Sequence, residues 1–231
     1  MSRAPWVLLA ALVLLASGCL ATGADANSQT FDFSFLNATE GWFPGASDFP
    51  VARESEVAIA SDLRPLPASL SIPGNGQYES GNNVSGNLFI FHKAYRSGLQ
   101  PITTYHISLQ VSYVTNYHSG CTTGPGPNVV IKAGAVGIDP VASPDQQGVY
   151  HMNIDKGVGT DGGDFLQFGD IRNGLSGCPA TGTYAERTTA RLPMTVTTDG
   201  LGGFFMFFGT QSIFAGVHQI YITNLRLRIT F

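Results

Sequence analysis

The feature that most constrains this fold is the strict two-residue alternation of "TYHISLQVSYV" at residues 104–114. Every second side chain is apolar, and polar side chains occupy the positions between them. A period of two over so long a run is typical of a β-strand with one face buried and the other in water. The apolar face comprises Tyr105, Ile107, Leu109, Val111 and Tyr113, and the polar face comprises His106, Ser108, Gln110 and Ser112.

Other segments of the chain also have the composition of strands. "FDFSFL" at residues 31–36 alternates in the same way, and "FFMFF" at residues 204–208 is apolar on both faces, which predicts a central strand covered on each side. The closing "TNLRLRITF" predicts Leu225, Leu227, Ile229 and Phe231 inward, with Arg226 and Arg228 in solvent. Shorter candidate strands are residues 57–60, 69–72, 87–92, 128–133, 149–154 and 192–197.

Turn residues separate these strands, and no stretch after the leader shows a 3.6-residue apolar period. Turn signals include "PGNG" at residues 73–76, "GPGP" at 124–127 and "DGG" at 161–163. About ten short strands without helices predict an all-β fold built as an antiparallel β-sandwich or as a barrel.

Both ends of the domain carry a family resemblance. "FDFSFLNATEGW" at residues 31–42 resembles the opening of jelly-roll carbohydrate-binding modules, and "HQIYITNLRL" at residues 218–227 resembles their closing strand. The resemblance implies a jelly-roll β-sandwich and a carbohydrate ligand. That closing strand commonly carries an aspartate where this chain has Asn224, which weakens the case for a structural calcium ion there.

The amino terminus is predicted to be an export signal. Arg3 supplies a positive charge, and an apolar run too short to span a bilayer follows from Trp6 to Ala16. "LASGC" at residues 15–19 then resembles the lipobox of bacterial lipoproteins. The alternative is a plain secretory signal that is cut nearby.

The lipobox resemblance implies the organisation of the whole chain. Residues 1–18 would be a signal peptide, and Cys19 would carry a diacylglyceryl group together with an amino-terminal acyl chain such as palmitate. Two or three acyl chains hold a protein firmly on a membrane. Residues 19–30, small and polar, would form a flexible tether, and residues 31–231 one β-sandwich domain. The expected location is the outer side of the cytoplasmic membrane or the outer membrane.

Charge excludes one class of partner. The chain has 12 lysines and arginines against 16 aspartates and glutamates, and the basic residues form no cluster. Binding to nucleic acid depends on a basic patch that neutralises phosphates, so we expect no nucleic-acid partner.

The two cysteines that follow the predicted anchor lie in glycine-rich loops. In an exported chain an even pair predicts a disulfide, here between Cys121 and Cys178. The closed loop of about 58 residues would contribute roughly 4 kcal/mol in the chain-entropy model. Two free thiols, or a metal pair with His118, are the alternatives.

Catalytic motifs are missing from the sequence. No Gly-x-Ser-x-Gly nucleophile elbow and no His-Glu-x-x-His occur, and the five histidines are scattered without ligand spacing. We therefore predict surface or loop histidines, no catalytic residue and no cofactor. The histidines are His92, His106, His118, His151 and His218.

An acidic cluster lies in "NIDKGVGTDGGDFLQFGD". Oxygen ligands from a glycine-rich loop suit calcium, which makes Asp155, Asp161 and Asp164 candidate metal ligands. Aspartate beside glycine also forms turns without any metal. Two carboxylates, with Asp170 included, could instead form a glycosidase pair if they faced one cleft.

Aromatic side chains in polar loops are the candidate sugar contacts. Tyr117 follows the longest strand between Asn116 and His118, and Tyr78 precedes Asn82 and Asn83. Packing within the core or the loops is the alternative role for each tyrosine.

Three functions follow from these observations. The favoured one is a membrane-anchored, non-catalytic binding domain for a glycan. An envelope protein that contacts other proteins is the second, and a polysaccharide-active enzyme whose carboxylates meet only in the fold is the third.

Overall fold

The computed structural model describes residues 27–231, which form an antiparallel sandwich. The predicted signal peptide, the Cys19 anchor and the tether up to residue 26 lie outside these residues. The strands are β1 Ser28–Ser34, β2 Phe43–Ser47, β3 Ala60–Pro65, β4 Asn75–Asn83, β5 Leu88–Arg96, β6 Thr104–Thr115, β7 Val129–Val136, β8 Ala142–Pro144, β9 Tyr150–Met152, β10 Phe165–Asp170, β11 Ala185–Thr188, β12 Leu192–Thr197, β13 Phe204–Ser212 and β14 Gly216–Thr230. The helical turns are η1 Val51–Arg53, α1 Glu54–Val57 and α2 Pro125–Asn128.

Within residues 27–231 the strands form two main sheets. The seven-stranded sheet has the order β11-β6-β14-β4-β3, with β12 beside β6 and β1 beside β14. The five-stranded sheet has the order β10-β7-β13-β5-β2, and β8 with β9 forms a small ribbon. Strands β4 to β7 alternate between the sheets, as do β12 to β14. The predicted all-β, antiparallel jelly-roll sandwich is confirmed.

The alternation seen in the sequence defines the core between the sheets. The apolar face of β6 is buried throughout, and Leu225, Leu227 and Ile229 of β14 are completely buried. Trp42 packs in the same core between Phe33 and Phe208. The prediction of an inward Phe231 is wrong, since that ring is 59% exposed. It follows the last residue of β14, where no facing strand remains to cover it.

The five-stranded sheet is covered on its outer face as well. Residues between β7 and β10 fold over it, and a second apolar cluster forms around Phe89, Phe91, Phe165 and Phe207. Strand β13 is therefore central and apolar on both faces, as "FFMFF" predicted.

Two predicted strands and one boundary need correction. Residues 57–60 enter the end of α1, and Ala58 adopts a left-handed conformation that ends the helical turn. Residues 69–72 form a turn in which Leu70 N–H donates to Pro67 C=O. Strand β1 begins at Ser28, inside the segment predicted as tether, because residues 28–30 pair with the end of β14.

The histidine prediction is wrong for two of the five side chains. His92 and His218 lie in strands and are completely buried between the sheets, whereas His118 lies in a loop, as predicted, and is 7% exposed. The polar partners of the two buried histidines come from other strands, so no local sequence pattern could identify them. None of the helices in residues 27–231 is long and apolar enough to cross a membrane.

Candidate functional site

A group of tyrosines lies on the outer face of the seven-stranded sheet. The register of β4 and β14 places Tyr78 directly opposite Tyr221, and their ring centroids are 5.0 Å apart. Tyr184, just before β11, has its ring 6.3 Å from that of Tyr221. Because side chains alternate along a strand, the neighbouring Glu79 and Ile220 point inward instead.

One glutamine connects this group, which we call the tyrosine face: Tyr78, Tyr117, Tyr184, Gln219 and Tyr221. The Tyr78 hydroxyl donates to Gln219 Oε1 at 2.9 Å, and Gln219 Nε2 donates to the Tyr184 hydroxyl at 3.1 Å. The backbone N–H of Gln219 donates to the Tyr117 hydroxyl at 3.2 Å. These bonds hold the rings in a fixed arrangement.

Charged side chains border the tyrosine face. The guanidinium of Arg64 lies 3.9 Å from the centre of the Tyr78 ring, and Arg64 pairs with Asp62 at 2.8 Å. On the other side, Glu186 accepts a hydrogen bond from Thr223. The face therefore combines aromatic rings with an amide, a cation and carboxylates.

Three phenols of this face, those of Tyr117, Tyr184 and Tyr221, stay neutral at physiological pH. Burial raises the pKa of Tyr117 to about 12, and it also raises the pKa values of Tyr184 and Tyr221. Tyr184 and Tyr221 remain half-exposed, whereas Tyr78 is 7% exposed. Half-exposed neutral rings beside hydrogen-bonding groups can pack against the C–H face of a sugar while its hydroxyls bond to the border.

The structure brings only some of the predicted sugar contacts together. Tyr78 and Tyr117 meet at Gln219, although they are far apart in the sequence. Asn116 and His118 face elsewhere, lining with Tyr117 a separate cavity of about 200 Å³. His118 is held in place, since Thr183 N–H donates to its Nε2 at 2.9 Å.

Sequence reasoning missed the other members of the tyrosine face. Tyr221 lies in the recognised closing strand, and the alternation there could have assigned it to the outer face together with Gln219. Tyr184 precedes a short strand that the sequence did not reveal. No pattern in the sequence could have shown that β4, β14 and this segment are neighbours.

The predicted disulfide between Cys121 and Cys178 is confirmed, with their Cα atoms 4.8 Å apart. Because the two sulfur atoms are bonded to each other, the alternatives of two free thiols and of a metal pair with His118 do not apply. The two loops touch beside the bridge, where a Cβ on Gly120 would lie 2.4 Å from the carbonyl oxygen of Gly177. Glycine is therefore required at residue 120 by close backbone contact.

The acidic loop at residues 155–164 uses its carboxylates in turns. Asp155 accepts hydrogen bonds from the N–H groups of Gly157 and Gly163, and these bonds lower its pKa. Asp164 accepts from Asp155 N–H at 2.8 Å. This is the turn chemistry that the sequence analysis left as an alternative to calcium.

A lysine supplies the positive charge of this loop. The buried Lys132 donates from Nζ to the carbonyl oxygens of Lys156 and Thr160, at 2.5 and 2.7 Å. Burial, with help from nearby Lys156, lowers the Lys132 pKa to about 8. Across the described part of the chain, no three His, Cys, Asp or Glu side chains are grouped so as to hold a metal ion.

Asp170, the fourth acidic residue considered, pairs with Arg172 at 2.7 Å. Asp161 accepts a hydrogen bond from Gln167 N–H. Both carboxylates thus have local partners, and a glycosidase pair among these four residues stays a prediction.

No protein-family model and no curated protein matches the sequence. Among solved structures, the xylan-binding domain CBM22-1 of Paenibacillus barcinonensis Xyn10C is 10% identical, with a TM-score of 0.40, over 90% of this chain and 98% of that one. The K3 cleaved adhesin domain of Lys-gingipain from Porphyromonas gingivalis is 10% identical, with a TM-score of 0.40, over 87% and 98%.

The enzymatically active domain of tailspike protein 4 from bacteriophage CBA120 is 12% identical, with a TM-score of 0.36, over 83% of this chain. The chain spans 20% of the length of that protein. These TM-scores all lie below 0.5, so the likenesses carry no argument about what this chain binds or does.

Proposed function

We propose that this protein is a lipid-anchored, extracytoplasmic domain that binds a glycan on the tyrosine face. The observation that carries the proposal is the alignment of Tyr184, Tyr221 and Gln219 on the outer face of the seven-stranded sheet. The Gln219 amide holds the Tyr184 ring, and the Tyr221 ring lies between those of Tyr184 and Tyr78. Two partly exposed rings bordered by charged groups match the chemistry of a sugar, which has an apolar C–H face and hydroxyl edges.

The end of the sandwich where the described chain begins supports a membrane anchor. The carbonyl oxygen of Asn27 accepts a hydrogen bond from Phe231 N–H, and the Phe231 ring contacts Tyr105. The adjoining loops expose Ile102 by 77% and Leu201 by 83%. Apolar side chains at the end of the sandwich where Asn27 lies suit a surface that rests against lipid headgroups.

The tyrosine face lies away from that end. Tyr221 precedes Thr230 by nine residues along β14, which corresponds to roughly 30 Å at the usual rise of a strand. A domain anchored through Cys19 would therefore present the tyrosine face to glycans outside the membrane.

Glycan-array binding of the purified full chain tests the ligand class. We expect a defined glycan signal that falls at least tenfold in Tyr221→Ala and in Tyr184→Ala. Tyr95→Ala is the matched control, because that ring is 36% exposed on the five-stranded sheet, where it packs against Phe205. A blank array, or equal losses in all three variants, would contradict the proposal.

The anchor has its own test. We expect globomycin to block processing of the precursor, and we expect a Cys19→Ser form to leave the membrane fraction. Processing that continues under globomycin, or a Cys19→Ser protein that stays membrane-bound, would refute lipidation without affecting the glycan proposal.

A further inference from the structure

A serine, a histidine and a glutamate form a hydrogen-bonded series between the sheets. Ser61 of edge strand β3 lies opposite Glu79 of β4, and His92 reaches them from β5 of the other sheet. The Ser61 hydroxyl oxygen lies 2.8 Å from His92 Nε2, and His92 Nδ1 lies 3.0 Å from Glu79 Oε1. The contacts follow the order nucleophile, base and orienting carboxylate, which defines a catalytic triad by geometry rather than by sequence position.

The surrounding hydrogen bonds determine where the protons lie. His218 Nδ1 is buried without a partner, so its proton belongs on Nε2, which lies 3.1 Å from Thr210 Oγ1. That N–H donates to Thr210, whose own hydroxyl donates to Glu79 Oε2 at 2.9 Å. Burial agrees with this state, since it lowers the pKa of His218 to about 4 and keeps the ring neutral.

The same arrangement defines the state of His92. Glu79 Oε2 accepts from Thr210, and Glu79 Oε1 lies 3.0 Å from His92 Nδ1, which donates to it in the Nδ1–H tautomer of the ring. His92 Nε2 is then unprotonated and accepts from the Ser61 hydroxyl. The His92 ring is also stacked on Phe208, with 5.2 Å between ring centroids, which restricts its rotation.

A carboxylate at this depth is costly if its role is only structural. Glu79 and His92 are both completely buried, and well-packed apolar side chains commonly replace a buried charged pair without loss of stability.

Ser61 has access to a cavity. The side chain is half-buried and lines a cavity of about 560 Å³ beside the edge strands β2 and β3. Phe49, Phe91 and Tyr150 line the same cavity, together with the oppositely charged Glu54 and Lys93. Apolar walls with a few polar groups are typical of a small-molecule site of this size.

We propose that Ser61, His92 and Glu79 hydrolyse carboxylic esters with a small apolar acyl group, bound in this cavity. This goes beyond the proposed glycan binding and departs from the expectation that the chain has no catalytic residue. Tyr78 and Glu79 are neighbours in β4 but face opposite sides of the sheet, so the two sites can be altered separately.

Water is the second reactant in this hydrolysis. Ser61 Oγ attacks the ester carbonyl carbon while its proton moves to His92 Nε2. The carbon–oxygen bond to the alcohol then breaks, and the alcohol leaves with that proton. Water next attacks the acyl-serine, giving one proton to His92, which returns it to Ser61 Oγ as the carboxylic acid departs. Glu79 orients His92 throughout.

Covalent labelling of the purified full chain with a fluorophosphonate tests the nucleophile directly. We expect one adduct, mapped by peptide mass spectrometry to Ser61, and hydrolysis of p-nitrophenyl butyrate above the buffer rate. Ser61→Ala should abolish the adduct and lower kcat/KM by roughly 10³-fold or more. Ser80→Ala, a half-buried serine of β4 on the outer face, is the matched control and should keep both signals.

Glu79→Gln tests the orienting role. We expect kcat to fall by roughly 10²–10⁴-fold with KM nearly unchanged, because the amide favours the wrong histidine tautomer while the cavity stays intact. The wild-type measurements decide the proposal even if this variant does not fold. No Ser61 adduct on the wild-type chain, or equal hydrolysis by wild type and Ser61→Ala, would overturn it.

Discussion

The acidic loop at residues 155–164 and the carboxylate of Glu79 both collect hydrogen-bond donors, but they do so in opposite settings. The aspartates of the loop are close in sequence, exposed or half-buried, and bonded to backbone N–H groups of the same loop. Glu79 is completely buried, and its donors are side chains of two other strands, His92 and Thr210. The loop shapes a turn, whereas Glu79 polarises a histidine that reaches a serine.

This difference shows which acidic residues to suspect of chemistry. Backbone N–H groups within a few residues of an aspartate satisfy its oxygens locally, and the result is a turn. A buried glutamate lacks such local donors and depends on partners brought by the fold. Sequence clustering pointed to Asp155, Asp161 and Asp164, while the structure points to Glu79.

Removing the buried carboxylate should have the largest effect. Glu79→Ala leaves His92 and Thr210 buried without their shared acceptor, so we expect a loss of about 3–5 kcal/mol in the free energy of unfolding. Urea unfolding measures it, with Asp155→Ala as the exposed counterpart. Equal losses in the free energy of unfolding of the two variants would contradict the prediction that the buried carboxylate matters more than the exposed one.

The free energy of unfolding should fall in acid, because His218 is buried in the same hydrogen-bond network as Glu79. Its pKa of about 4 in the fold, against 6.5 unfolded, means that the unfolded chain binds more protons between these values. Stability therefore falls as pH drops through this window, by about 2 kcal/mol from this group between pH 7.5 and 5.

His218→Gln should make the urea midpoint less sensitive to pH over this range. His151→Gln is the control, because His151 is a half-exposed histidine that pairs with Asp48 and Asp145 at the surface. An acid limb that is unchanged in His218→Gln would mean that another group is responsible.

Lys132, which reaches the acidic loop from β7, should contribute more to stability than the aspartates of the loop. Lys132→Met leaves the carbonyl oxygens of Lys156 and Thr160 without their donor, so we expect a loss of about 1–2 kcal/mol on urea unfolding. Lys93→Met is the control, because the Lys93 ammonium lies nearer to solvent, where it pairs with Asp139. If Lys132→Met lost no more stability than Lys93→Met, the buried Lys132 ammonium would not be what holds the loop.

The smallest effect is expected from calcium. Because the loop carboxylates already accept backbone N–H groups and Lys132 supplies the positive charge, neither EDTA nor excess calcium should shift the melting temperature. Calorimetric titration of the wild-type chain and of Asp155→Asn checks this. Stoichiometric calcium binding that is lost in Asp155→Asn would restore the metal interpretation of this loop.

Several elements of the fold could be predicted because their cause is local. Alternation identified β6 and the inward face of β14, and a continuous apolar run identified the central β13. Strands β2, β3, β4, β8, β10 and β11 were missed, since glycine, proline and polar side chains interrupt their apolar pattern, and their pairing partners hold them in place. Residues 57–60 read as a strand, but a left-handed Ala58 ends a helical turn there.

The candidate sites were predictable to very different degrees. Tyr78 and Tyr117 were identified as aromatic side chains in polar surroundings, and the disulfide was identified from its compartment and spacing. Tyr184 and Tyr221, and the series of Ser61, His92 and Glu79, have no shared motif. The two tyrosines come from two separate segments, and the series comes from three strands.

The sequence by itself determined the fold class, the disulfide and the candidate anchor at Cys19, because side-chain period, cysteine pairing and leader composition are properties of neighbouring residues. The tertiary structure decided which polar groups meet. Strand register places Tyr78 outward and Glu79 inward from adjacent positions, and sheet packing brings His92 across the core to Ser61. Such contacts depend on pairing between distant strands, and a one-residue change of register would abolish them.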